Sequence, residues 1–170
     1  MSGAHPDRAA EADERGFMSL LDVHDELHDT FFRHQECLLA RDVARSREAL
    51  DEFESLLVAH MRFEEVRLLP IFERAGPIPG GGSDLFRNEH AKLLRYVAGI
   101  RTALESLCPD DPGGSRRVIE LLDFEARFKS LLTHHDLRER NILYPTLNAV
   151  ATAGEARDLL AAPADGGARV

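Results

Sequence analysis

The sequence predicts an all-α fold, an up-and-down antiparallel four-helix bundle. Three observations carry that prediction. Four long segments, residues 17–40, 43–74, 83–107 and 115–148, each keep an apolar stripe at helical spacing. No stretch shows strand-like alternation with Val, Ile and Thr enrichment. Short breaks separate the segments, and long helices joined by short loops fold up and down.

Residues 1–15 are polar and mixed in charge, and read as a flexible lead-in to a single domain over residues 16–148. The first helix carries Phe17, Leu20, Leu21, Leu27, Phe31, Gln35 and Leu38 on its stripe, with His24 and His28 inside it one turn apart. His34 lies off the centre of that stripe, on its flank. Arg41-Asp42 is a short turn, with Asp42 as N-cap of the second helix. The second stripe is Phe53, Leu56, Leu57, His60, Glu64, Leu68 and Ile71. The Gly/Pro-rich run 75–82 ends that helix, and Ser83 or Asp84 caps the third. The third stripe, from Phe86 to Leu104, includes His90. A second break at 108–114 precedes Ser115, the expected cap of the fourth helix, whose stripe includes Phe128, Leu132, His135, Glu139 and Leu143. Pro70 and Pro145 sit late in their helices and are expected to kink them. The tail, 149–170, can hold one short helix near 152–162 before a frayed end.

Composition narrows the function. With 21 basic and 30 acidic residues the net charge is −9, which disfavours nucleic acid or an anionic membrane as partner. No apolar run is long enough to span a membrane, and residues 1–7 lack the apolar segment of a signal peptide. Cys37 and Cys108 form no C-x-x-C pair, and a reducing cytoplasm is the expected location.

An internal repeat carries the chemistry. Shifted by 75 residues, 53–70 (FESLLVAHMRFEEVRLLP) aligns with 128–145 (FKSLLTHHDLRERNILYP). His60, Glu64 and Pro70 meet His135, Glu139 and Pro145 in one frame, H-x-x-x-E followed by Pro. Shared bundle composition accounts for the matching leucines but not for the polar matches. The helical wheel places His60, Glu64, His135 and Glu139 on the apolar stripes, and leaves Glu65 and His134 outside them.

Two carboxylates aimed at an apolar core cost several kcal/mol unless they are paired or protonated. The chain has only two lysines, Lys92 and Lys129, and neither is in a clear core position. A bound cation relieves both glutamates and uses neutral histidines as ligands. A lone core histidine is most simply a hydrogen-bonded structural residue. Here two H-x-x-x-E frames are joined by His24, His28 and His90. In an antiparallel hairpin turning near residue 42, His60 lies level with about residue 24. In the second hairpin, His135 lies level with about residue 88, close to His90. All four helices therefore turn imidazole or carboxylate onto one layer. His24 fits the level count better than His28, which would bind the same metal from one turn away or stay outside as a donor.

These residues resemble the hemerythrin-like, or HHE cation-binding, family over residues 17–148: His24/His28, H60-x-x-x-E64, His90 and H135-x-x-x-E139. The resemblance implies a four-helix bundle holding two non-haem iron ions with an oxo or hydroxo bridge. It implies His60 and His135 as terminal ligands, Glu64 and Glu139 as bridges, and His90 with one or both of His24 and His28 completing the set. Zinc or manganese can substitute on such ligands. The fourth helix has H-x-x-x-E where oxygen-carrying hemerythrins have H-x-x-x-x-D, and His90 is followed by Leu94 where they have a second histidine. That departure moves the expectation from oxygen carriage toward the bacterial and sensor-type members. The leading expectation is binding or sensing of a diatomic ligand, O₂ or NO. A peroxide- or NO-consuming oxidoreductase and an iron store or buffer share the same ligands. The sequence assigns no oligomeric state.

Overall fold

The computed structural model describes residues 16–108 and 113–161. The expected lead-in 1–15 with His5, part of the second break and the frayed end lie outside the described residues. The fold is all-helical, with no strand among the described residues. A 3-10 turn, Gly16–Leu21, leads into α1, Asp22–Leu39. Then come α2, Val43–Phe63, α3, Ser83–Glu105, and α4, Gly114–Arg138. A fifth helix, α5, spans Ala153–Ala161 in the tail. It packs on the 3-10 turn, so among the described residues five helices stand where the sequence promised four and an optional short one.

The first connection is tight because α1 ends in a Schellman motif. Arg41 takes a left-handed φ of 60°, the Asp42 N–H donates to the Cys37 carbonyl at 2.9 Å, and the Arg41 N–H donates to the Leu38 carbonyl at 3.0 Å. Asp42 then caps α2 by accepting from the Arg45 N–H at 3.1 Å. The other two expected caps are corrected. Gly82 and Gly113 occupy the cap positions, so Ser83 and Ser115 lie inside their helices. Ser83 Oγ instead accepts from Arg87 at 2.9 Å.

Neither proline simply kinks its helix. Before each one the helix widens into a π turn, Glu64–Leu68 in the second rod and Glu139–Leu143 in the fourth. The Leu69 N–H closes the first turn onto the Glu64 carbonyl, and the Tyr144 N–H closes the second onto the Glu139 carbonyl. Proline lacks an N–H and clashes with the carbonyl four residues back, and the wider turn relieves that clash. The helices resume as Leu69–Phe72 and Tyr144–Val150.

Helices α1 and α2 pack together, as do α3 and α4, with further contacts of α3 on α2 and of α4 on α1. The interior has two apolar cores. One gathers Phe31, Leu50, Phe53, Val97, Ile100 and Phe128. The other, beyond the π turns, gathers Phe17, Leu69, Phe72, Phe86, Tyr144 and Leu147. The 3-10 turn is fastened to this second core. Asn148 Oδ1 accepts from the Phe17 N–H at 3.1 Å, and a Cβ on Gly16, at φ 54°, would lie 2.5 Å from that oxygen. Between the two cores lies a polar layer.

Candidate metal centre

The layer is built by the periodicities that form the helices. His60 and Glu64 are four residues apart on the last turn of α2 and the first π residue, and His135 and Glu139 repeat this on α4. The opposing stripes of α1 and α3 add His24 and His90. All six side chains are buried, and both glutamates are wholly so. They form two groups of candidate ligand atoms, each within 4.8 Å: Glu64, His90, His135 and Glu139 in one, His24, His60 and Glu139 in the other.

The two groups mirror each other. The rings of His24 and His60 stand 4.8 Å apart at 82°, and those of His90 and His135 stand 4.8 Å apart at 81°. Each glutamate faces both. Glu139 Oε1 lies 2.6 Å from His135 Nε2, and its Oε2 lies 2.9 Å from His24 Nε2. Glu64 Oε2 lies 3.2 Å from His90 Nε2, and its Oε1 lies 3.7 Å from His60 Nε2.

Hydrogen bonding does not account for these approaches. Glu64 Oε2, His90 Nε2, His135 Nε2 and Glu139 Oε1 are buried without a hydrogen-bond partner, and so is His24 Nδ1 on the outer side of its ring, 3.8 Å from Asp136 Oδ1. A buried polar atom left in this way costs about 1–3 kcal/mol, more if charged. Nitrogen and carboxylate oxygen donors facing inward on a common volume fit a cation, and this donor set suits iron, zinc or manganese.

Carboxylates behind the rings hold them in place. The His90 Nδ1–H donates to Glu65 Oε1 at 2.7 Å. The His135 Nδ1–H donates to Glu89 Oε2 at 3.1 Å, and Arg138 Nε donates to Glu89 Oε1 at 3.0 Å. These bonds turn the free Nε2 atoms inward. Burial opposes charge on His24 and His135, but Glu139 and the other carboxylates outweigh it, raising His24 and holding His135 well above the usual imidazole range. Burial likewise opposes ionisation of Glu139, and His135, His24 and His60 overcome it, holding the carboxyl well below its usual value. Glu89 is lowered too, with His135 and Arg138 outweighing its desolvation. The Tyr144 phenol donates toward Glu64 Oε1 and Glu139 Oε2 at 3.2 Å each. Burial first, then those two carboxylates, push it well above its ordinary value.

Six of the seven residues singled out from the sequence meet in this layer. His28 does not. It is only half-buried, and its Nε2 lies 2.7 Å from Asp136 Oδ2. Asp136 Oδ1 in turn lies 3.8 Å from His24 Nδ1. His134 is exposed.

The flank reading of His34 is corrected, because it is fully buried. Its Nδ1–H donates to the Ser46 carbonyl at 2.9 Å, and its Nε2 is hydrogen-bonded to the fully buried Glu125 Oε1 at 2.9 Å. Gln35 Nε2 donates to Glu125 Oε2 at 2.8 Å, and Lys129 Nζ donates to Gln35 Oε1 at 3.1 Å. Glu125 escaped the sequence reading because it is alone on its helix turn and outside the repeat. Glu65, Glu89, Asp136 and Tyr144 escaped it because they act through neighbours on other helices.

Converging imidazoles and bifacial carboxylates in a helical interior define a class, the helical domains with a site able to hold cations. The family model of the hemerythrin HHE cation-binding domain matches residues 15–147. The chain belongs to that family. Searches of curated proteins and of solved structures give no match.

Proposed function

We propose that this layer holds two iron ions within an up-and-down arrangement of four long helices, and that the protein binds or senses a diatomic ligand, O₂ or NO. His24 and His60 would hold one iron and His90 and His135 the other, with Glu64 and Glu139 giving one carboxylate oxygen to each. The observation that carries the reading is the set of four buried, partnerless ligand atoms on Glu64, His90, His135 and Glu139. An iron pair supplies reversible electron donation to a small ligand at an open position. The chain supplies the rest. Glu65 and Glu89 fix the tautomers of His90 and His135. Two apolar cores shield the layer from bulk water on both sides. A surface groove lined by Met61, Arg62, Glu65, Val66 and Leu94 reaches His90 and offers a way in.

No helix of the described residues is long and apolar enough to cross a membrane. The free cysteines suit a reducing cytoplasm, and the net charge of −9 suits a small-molecule partner over nucleic acid or a membrane surface. The test is anaerobic reconstitution with ferrous iron, metal analysis, then rapid mixing with O₂ or NO. Two irons per chain and a reversible ligand spectrum are expected. Fewer than one iron per chain sinks the metal assignment. Irreversible oxidation with peroxide turnover, or release of iron to a chelator, replaces the binding role with an oxidoreductase or a store.

A further inference from the structure

Tyr144 is a fully buried titratable group that the reading above leaves without a role. Its oxygen lies 3.2 Å from Glu64 Oε1, 3.2 Å from Glu139 Oε2 and 3.5 Å from His24 Nε2. A phenol has one proton and serves one acceptor at a time, so three ligand atoms converge on a single donor. All three belong to the same half of the layer. Glu139 Oε2 is the oxygen that faces His24, and Glu64 Oε1 is the one that faces His60. The two halves otherwise match in ring spacing and ring angle. In the internal repeat the counterpart of Tyr144 is Leu69, equally buried, with no donor atom to offer the other half. The repeat thus breaks at the one position where a side chain can add an oxygen to the site.

We propose that Tyr144 is a further metal ligand, its oxygen binding the ion held by His24 and His60, so that the two metal positions are unequal. The phenolate fills one position, and the open place for a small ligand falls on the His90–His135 side, where the surface groove reaches. The inference rests on the two-metal reading. As the metal–oxygen bond forms, the phenol proton leaves to solvent, and no oxidant or reductant is consumed. An anionic oxygen ligand favours the ferric over the ferrous ion.

The experiment is resonance Raman spectroscopy of the iron-loaded, oxidised full chain, with iron content measured on the same samples. The expected result is a visible tyrosinate-to-iron band whose excitation enhances phenolate ring modes. Tyr144→Phe is expected to lose the band and the modes while iron stays on the six remaining ligands. The chain has only two tyrosines, and Tyr96 packs against Phe124 in the apolar core, so the assignment is unambiguous. Wild-type protein that binds two irons without phenolate modes overturns the inference and leaves the metal reading standing. Modes that persist in Tyr144→Phe overturn it as well. Wild-type protein that binds no iron overturns both. Should Tyr144→Phe fail to fold, the wild-type spectrum alone decides.

Discussion

Two buried clusters of imidazole and carboxylate lie in this protein about 15 Å apart, ten residues along the helices from His24 to His34 and from His135 to Glu125. They are made of the same chemistry and behave oppositely. In the His34–Glu125 cluster every ring nitrogen and carboxylate oxygen has a partner, through Ser46 on one side and Gln35 and Lys129 on the other. In the candidate metal layer four inward-facing atoms, on Glu64, His90, His135 and Glu139, have none. The first arrangement is complete as protein and can serve only packing and helix register. The second is incomplete as protein, and what completes it must come from outside. Burial alone therefore does not mark a site. The separating feature is whether the polar atoms close on one another.

That contrast can be broken most forcefully at Glu139, which faces both halves of the layer. Glu139→Ala should bind less than one metal per chain, against two in wild type, because it removes the carboxylate that faces both His24 and His135. Two metals retained would show that the layer is as self-sufficient as its neighbour. Glu125→Ala should do the converse. Removing one member of a closed buried pair costs about 3–5 kcal/mol, seen in denaturant or thermal unfolding, with the metal count unchanged. Lost metal at undiminished stability would reverse the roles of the two clusters.

A third measurement follows the protons. His24 and His135 are raised, Glu139 and its neighbouring carboxylates favouring the protonated rings in the metal-free protein. Metals bind the neutral ring, so loading must expel those protons, and affinity must fall as pH falls. The expected slope is about tenfold per pH unit for each proton displaced. Loading in weak buffer should acidify the solution, in Glu125→Ala as in wild type. An unchanged pH would mean that the rings are already neutral. The smallest effect is expected at His28, which lies at the edge of the layer. His28→Ala should alter metal-binding free energy by about 0.5 kcal/mol, the usual scale for substitutions outside a packed site, while His24→Ala loses a metal. If titration gives the reverse order, α1 is set one turn differently.

Much of this was legible in the sequence, for identifiable reasons. His60, Glu64, His135 and Glu139 are visible because a repeat and a helical wheel select them independently. His24 and His90 are visible because antiparallel levels follow from the position of a turn. His34 was misjudged because a wheel measures distance from a stripe's centre, whereas burial depends on how many helices surround the residue. Here α2 and α4 both close over it through Ser46 and Glu125. The π turns were hidden for a different reason. Proline announces a disturbance, but whether the helix bends or widens depends on the packing around it.

Those widened turns have a consequence for how the chain tolerates change. Each contains an extra residue that uninterrupted α-helical winding would not accommodate, so the apolar stripe below the layer runs out of phase with the stripe above it. Winding that turn as regular α-helix with all its residues kept would swing Leu69 and Phe72 about 100° around the axis, away from the lower core, whereas deleting one residue such as Arg67 would remove the extra residue and leave them facing it. A one-residue shortening is therefore expected to be tolerated inside a widened turn and to unseat one end of the molecule anywhere else in the same rod. The position of each glutamate is thereby tied to the phase difference between two cores, and a drift in either core would move a ligand.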